Sequence, residues 1–452
     1  MSHQTGIRTK RGANIKIKGE AEKILATSPI TETFALYPDD FLYLIPKLIL
    51  REGDAVKKGT PIFYSKANPD IQFVSPVGGV VESIVRGAKR KIEKIIIKTS
   101  PKQDSVSHSF GELDEMSIEE IKKILLESGA WPFLRQRPYG IVADPAYIPK
   151  ALFVSTIDTA PLHVDFEFLL KNKFKAFQKG INVLAKLIGQ SIKLGISPLE
   201  AENYKAFENV DIYTVEGPHP AGNVSVHIQK ISPINPNEKV WVVQPEDVAN
   251  IGKLFQDKIF SAERVVAVAG NAVEKPHYIN SFIGAEVEPL LKRASIKSEN
   301  VRIINGDVFS GRATTPTGHL SYFNNLVSVI PEGNEYRMFG WLPFVDNVIP
   351  SLSKTSFSWL LGKKGYDVNT NLNGEERAIV VTGEMEKLLP MNIYPMQLLK
   401  ACMAEDIEKM EALGIYEVVP EDFGLIDFAN TSKIEAQQII HEAISLMINE
   451  VG

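Results

Sequence analysis

A change of hydrophobic period at Ala151 constrains this chain more than any other feature. ALFVSTID, SIKLGIS, VDIYTVEG and KVWVVQ are short apolar runs of strand type, and helical patterns fill the intervals between them. Phe174, Phe177, Ile181, Leu184 and Ile188 recur at helical steps on one face, and PLEAENYKAF and PEDVANIGKLFQD supply further helices. Buried strands alternating with amphipathic helices predict an open α/β layer, because parallel neighbours need a crossover long enough to hold a helix. The layer spans 117–257 and opens at Ser117-Ile118-Glu119-Glu120, where serine and an acid three residues on form a capping box.

At 452 residues the chain is too long for one core. Residues 1–100 read as a small β-sandwich, with runs at Asn14–Lys18, Lys47–Arg51, Ile71–Val74, Val80–Val85 and Lys94–Lys98 between glycine and proline turns. Lys102 to Met116 is polar and without period, a linker. Residues 258–330 hold RVVAVAGNAV, a short helix around Val287–Arg293 and NVRIINGDVFSG, a compact β-α-β module. Residues 331–452 begin aromatic, with FGWLPF at 339–344 as a candidate partner-facing patch, and end in helices such as MQLLKACMAEDIEKMEALG.

GDAVKKG at 53–59 and SPVGGVV at 75–81 resemble the sandwiches that carry biotin or lipoate on a lysine. Counting back from Pro76 by the carrier spacing lands on Asn68, with Lys66 off the tip and Pro69 beside it. The block is therefore read as a carrier-like sandwich without its lysine. Cys402 is the sole cysteine, which excludes an intrachain disulfide or an iron–sulfur centre built from this chain alone, and its expected role is a small residue on a buried helix face. The formal charge of −5 supplies no reason to expect nucleic acid. No run of about 18 apolar residues occurs, so no membrane span is expected.

VEGPHPAGNVSVHIQKISPI, from Val215 to Ile234, is the most specific stretch. It resembles the family of A subunits of the sodium-translocating NADH:quinone oxidoreductases, as do Leu134–Gly140, Val154–Leu162, AGNAV at Ala269–Val273 and GDVFSGR at Gly306–Arg312. Gln229 stands where the family pattern has a second histidine after His227. The resemblance implies a multidomain α/β plus β protein: a biotinyl/lipoyl-like sandwich, a Rossmann-like α/β layer, a small β-rich SLBB-like module and a helical end resembling a ferredoxin-like segment without clusters. It also implies a peripheral subunit on the cytoplasmic side of the bacterial inner membrane, bound to the membrane-embedded B subunit and its companions. FMN, riboflavin, FAD and iron–sulfur centres would belong to partner subunits. The complex would pass electrons from NADH to ubiquinone or menaquinone and export sodium.

Relatives that bind flavin and NADH carry a glycine-rich loop where this chain has SGAWPFLRQRPYG. Such a loop needs glycines so that backbone N–H groups can approach phosphates, and bulky side chains close it. No cofactor or metal is therefore expected in this chain. The same stretch interleaves aromatics with arginines, as a quinone head group requires: an apolar wall and a few donors to carbonyl oxygens. The candidate quinone-binding residues are Trp131, Phe133, Arg135, Arg137 and Tyr139, joined by His219 at the carboxyl edge of the layer. The stretch reads more readily as a loop packed on the layer, its arginines paired with carboxylates, and His219 as part of a rigid turn. Asp158 and Asp165 have no recognisable partners in the sequence. Two functions of another kind are a soluble NADH-dependent flavoprotein and a carrier-domain subunit.

Overall fold

A computed structural model of the chain describes residues 6–334, 350–352, 360 and 365–451. The FGWLPF patch lies outside them.

The α/β layer is built on a seven-stranded sheet. Gly6–Arg8, Val210–Glu216, Ile192–Ile196, Ala151–Ser155 and Val240–Val242 follow one another in parallel, and Arg135–Arg137 and Ile141–Val142 complete the sheet antiparallel. Phe174–Ile188 forms one long helix with Phe177, Ile181, Leu184 and Ile188 buried. It packs on the helix Pro245–Asp257 at a crossing where glycine is required on both sides. A Cβ at Gly180 would collide with the Val248 carbonyl, and one at Gly252 with the Ala176 carbonyl. The capping box forms as expected: Ser117 Oγ accepts from Glu120 N–H at 3.2 Å, and Glu120 accepts from Ser117 N–H at 2.7 Å.

The sandwich pairs the sheet Thr33–Leu36, Ile92–Thr99, Gly79–Arg86 and Ala55–Val56 with the sheet Pro46–Leu48, Pro61–Ser65 and Gln72–Val74. Phe63 and Phe73 stack at 4.6 Å in its core. Asn68 sits in the turn between Pro61–Ser65 and Gln72–Val74, with its Oδ1 accepting from Asp70 N–H at 3.2 Å.

Several expectations are corrected. Asn14–Lys18 is not a strand of the sandwich. Ile17 makes an isolated bridge to Tyr366, while Gly6–Arg8 and Glu22–Ala26 serve the edges of two other sheets. Lys102–Met116 is more than a linker: Ser105 and Ser107 bridge to Lys58 and Ile259, and Gln103 Nε2 donates to the Gly78 carbonyl at 3.1 Å. A polar side chain that satisfies a neighbouring backbone leaves no periodic signature. MQLLKACMAEDIEKMEALG is two helices, Pro395–Met403 and Ile407–Ala412, because Glu405 takes a left-handed φ of 53° and Asp406 caps a new start by accepting from Lys409 N–H at 3.1 Å.

The third sheet has six strands in the order Arg312–Thr314, Val301–Asn305, Leu326–Pro331, Glu263–Ala269, His277–Phe282 and Glu22–Ala26. Leu326–Pro331 closes the module at the boundary expected for it. The C-terminal helices, ending in Ala436–Glu450, share a core around Met396, Phe423 and Ile440 with Ile17 and with Val265 and Leu326 of the third sheet, and Cys402 is buried in it with its thiol pushed up to about 12 by desolvation. Among the described residues no helix is long and apolar enough to cross a membrane.

Candidate functional site

The carboxyl edge of the α/β sheet meets the third sheet at a crevice of about 230 Å3. Its wall on one side is Ser155, at the end of Ala151–Ser155, and Gln244, which leads into the helix Pro245–Asp257. Open α/β sheets place ligands in this position, outside the carboxyl ends of their strands. Phe309, Phe323 and Asn325 close it from the third module. The helices Val224–Ile231 and Pro245–Asp257 both start at the crevice, and neither Asn223 nor Gln244 caps its helix with its side chain. Their first N–H groups bring positive helix ends to a rim that also carries the acids Asp158, Asp307 and Glu421.

Arg135 reaches the crevice because the LRQR segment adds to the sheet as a strand. It pairs Arg135 with Val242, Gln136 with Trp241 and Arg137 with Val240, which puts Arg135 at the carboxyl end. Its guanidinium lies 5.0 Å from the Phe323 ring centre, its buried Nε has no acceptor, and it makes no ion pair among the described residues. Burial lowers its pKa, against the pull of Glu421.

His219 is held from three directions. Its N–H donates to Asn14 Oδ1 at 3.0 Å, its carbonyl accepts from Ala13 N–H at 2.8 Å, and its ring lies 5.3 Å from that of Phe309. Gly12 permits this approach of the N-terminal segment, since a Cβ there would strike the His219 carbonyl. Burial lowers the imidazole pKa to about 4, so it is neutral at physiological pH. Nδ1 lies 3.2 Å from Thr159 Oγ1, which already accepts from Gly222 N–H at 3.0 Å.

Of the six sequence candidates, Arg135 and His219 come together in the crevice. Trp131 and Phe133 lie beneath it at 0% and 1% exposure. Trp131 donates to the Ala143 carbonyl at 2.7 Å and meets Trp241 edge to face, while Phe133 stacks on Phe260 at 5.8 Å. Arg137 is 2% exposed and ion-paired with Glu421 at 3.1 Å, as the packed-loop alternative foresaw. Tyr139 turns toward the C-terminal helices, its ring 6.0 Å from Tyr416.

His227 is a satisfied core residue. Nε2 donates to the Ala221 carbonyl at 2.8 Å and Nδ1 accepts from Tyr213 O–H at 3.1 Å, and burial lowers its pKa to about 4. Gln229 is engaged with Glu417 and with Asn392 N–H, the latter at 2.7 Å.

Of the acids that lacked partners in the sequence, Asp165 gains a cation in the fold, and Asp158 accepts from Ala160 N–H at 2.9 Å. Asp158 lines the crevice with Asp307, and desolvation raises its pKa to about 6. Asp165 pairs with Lys23 and caps a helix by accepting from Phe168 N–H at 2.8 Å. With Glu167 and Glu200 it forms a carboxylate group within 4.8 Å, where Lys23 on Asp165 and Asn203 on Glu167 already supply donors. Sequence reasoning missed Phe309, Phe323 and Asn325. The GDVFSGR signature contains Phe309, but nothing in one dimension brings it to the mouth of another domain.

Below the crevice is a buried ionic cluster. Glu246 and Asp247, both fully buried in the first turn of Pro245–Asp257, meet Lys173 at 2.6 Å and Arg264 at 2.6 Å, respectively. Asn325 Nδ2 also donates to Glu246. These contacts tie the α/β helix to the third sheet and set the crevice walls.

Comparison with known proteins covers the whole length. Residues 7–100 match the NqrA N-terminal barrel-sandwich hybrid domain, 116–259 the NqrA second alpha/beta domain and 265–315 the NQRA C-terminal domain. The A subunit of the Na(+)-translocating NADH-quinone reductase of Photorhabdus laumondii is 33% identical over 98% of this chain and 100% of its own. Those of Neisseria meningitidis and Marinomonas are each 32% identical, over 98% and 97% of this chain and 100% and 99% of their own. A NAD+-reducing [NiFe]-hydrogenase covers 77% of this chain and 67% of its own at 14% identity and a TM-score of 0.38, too loose a likeness to assign anything. With a full-length match at this identity and three of the family's own domains in order, the chain belongs to the NqrA family, the A subunits of Na(+)-translocating NADH-quinone reductases.

Proposed function

We propose that this chain works as a peripheral subunit of a sodium-pumping NADH:quinone reductase, docked on the membrane-embedded B subunit at the cytoplasmic face. In this reading flavins and iron–sulfur centres reside in partner subunits, and electrons from NADH reach ubiquinone or menaquinone as sodium is exported. The chain's own contribution is contact with the quinone ring in the crevice between the α/β layer and the third module.

The observation that carries this reading is Arg135, a crevice-lining guanidinium whose buried Nε has no acceptor and which makes no ion pair among the described residues. A buried cation without a partner is costly, and a ligand oxygen that gains negative charge relieves the cost. Phe309 and Phe323 supply the apolar faces a ring needs. His219, kept neutral by burial, lines the same crevice and carries one ring N–H, the kind of donor that hydrogen-bonds a carbonyl oxygen.

The test is Arg135→Met in the assembled complex. Quinone KM is expected to rise about tenfold to a hundredfold, the range for a hydrogen bond to a charged group. NADH oxidation by an artificial acceptor that takes electrons upstream should keep its rate. An unchanged quinone KM contradicts the reading.

A further inference from the structure

Two residues that line the crevice carry a polar atom with a fixed role and no partner among the described residues. Arg135 Nε can only donate, and it is buried without an acceptor. Asn325 is the reverse case. It is 6% exposed, and its Nδ2 is committed to the Val265 carbonyl at 3.0 Å and to the Glu246 carboxylate. Both of those atoms only accept, which settles the amide's orientation and leaves Oδ1 as a buried acceptor without a donor. Gln244 Oε1 is also buried and unpartnered, and its amide can turn to offer either end. Each unmet buried group is a standing cost that a suitable ligand removes.

Resting on the quinone reading above, we infer that the crevice is shaped for the reduced ring and holds quinol more tightly than quinone. A quinone oxygen only accepts. It answers Arg135, yet it leaves Asn325 Oδ1 unmet or faces it lone pair to lone pair. A quinol hydroxyl accepts from Arg135 through its oxygen and donates its hydrogen to an amide oxygen, so one ring satisfies both groups. The acids act in the same direction, because the carboxylates of Asp158 and Asp307 on the wall repel a carbonyl oxygen and accept from a hydroxyl. A site built to bond a hydroxyl rejects the analogue that lacks it far more strongly than an apolar pocket rejects a shape. The preference belongs to the α/β layer and the third module jointly, since Arg135 comes from one and Asn325 from the other.

The experiment is anaerobic calorimetric titration of the full-length chain with a one-isoprenoid ubiquinone, its quinol and the quinol's dimethyl ether. The quinol is expected to bind about tenfold more tightly than the quinone, the difference one extra buried hydrogen bond makes. The ether, which has no hydroxyl hydrogen, should bind no more tightly than the quinone. Asn325→Leu should abolish the preference, so that quinol and quinone bind that variant with equal affinity. If that variant fails to fold, the wild-type ratio and the ether decide the matter. Equal affinities, or a tighter quinone, overturn the preference and leave the quinone reading standing. Absence of binding by all three rings overturns the quinone reading, and the preference with it.

Discussion

Replacing Arg264 by methionine should destabilise the protein in a manner that grows with pH. Arg264 Nη2 lies 2.6 Å from Asp247 Oδ1 and also donates to the Tyr322 carbonyl at 2.9 Å, with every partner buried. Glu246 keeps Lys173 when the arginine is lost, but Asp247 is left without a cation in contact. Breaking one side of such a pair costs about 3–5 kcal/mol. Burial already raises the Asp247 pKa to about 6 against the pull of Arg264, so removing Arg264 pushes it higher still. A carboxyl whose folded pKa is raised above its unfolded value loses stability as pH rises through that window. Between pH 6 and pH 8 the wild-type Asp247 is largely ionised, whereas in the variant it keeps its proton in the folded state only. The variant should therefore lose stability relative to wild type as pH rises from 6 to 8, by up to about 1.36 kcal/mol per pH unit. Urea unfolding followed by the fluorescence of Trp131 and Trp241, which lie against each other in the same layer, reads this directly. The double variant Arg264→Met with Asp247→Leu should recover most of the loss and flatten the pH dependence. A stability difference that is the same at pH 6 and pH 8 would refute the assignment of the cost to Asp247.

Other outcomes follow from the same structure. Gly252→Ala should cost about 1–3 kcal/mol or more, because the added methyl meets the Ala176 carbonyl and the two helices must separate; thermal melting checks it. Arg137→Met should lower stability through the loss of Glu421 and leave the quinone KM of the complex unchanged, unlike Arg135→Met. His227, neutral in the fold with a pKa lowered to about 4, contributes stability that is lost as pH falls from about 6.5 toward 4. His227→Gln can still donate to Ala221 and accept from Tyr213, so it should soften the acid limb of stability by up to about 3 kcal/mol. Intact mass of the purified chain should equal the unmodified 50.2 kDa sequence, with no adduct on Lys66.

The sequence was most readable where side chains report on local burial. The helix Phe174–Ile188 and the parallel core of the sheet follow from periodicity, because each residue's neighbours along the chain reveal its face. The Arg135–Arg137 strand was legible only as an aromatic and arginine-rich loop, since an antiparallel addition to a parallel sheet depends on a partner, Val240–Val242, that lies far off in the sequence. Trp131 looked like a ligand wall and is core, because a large aromatic has the same signature in either role. His219 was placed at the right edge by its position after a strand, yet the residues that complete its crevice, Phe309 and Asn325, belong to another module. Glu22–Ala26 could not be placed in that module's sheet from sequence, for its pairing with His277–Phe282 is decided by tertiary contact rather than by its own exposed pattern.

The most direct measurement is photolabelling of the assembled, working complex with a ring-substituted azidoquinone, followed by peptide mapping. The account predicts adducts on this chain at peptides containing Arg135, His219 or Phe309, diminished by excess unlabelled quinone and by Arg135→Met. Adducts confined to other subunits, or on this chain but away from the crevice, would contradict it.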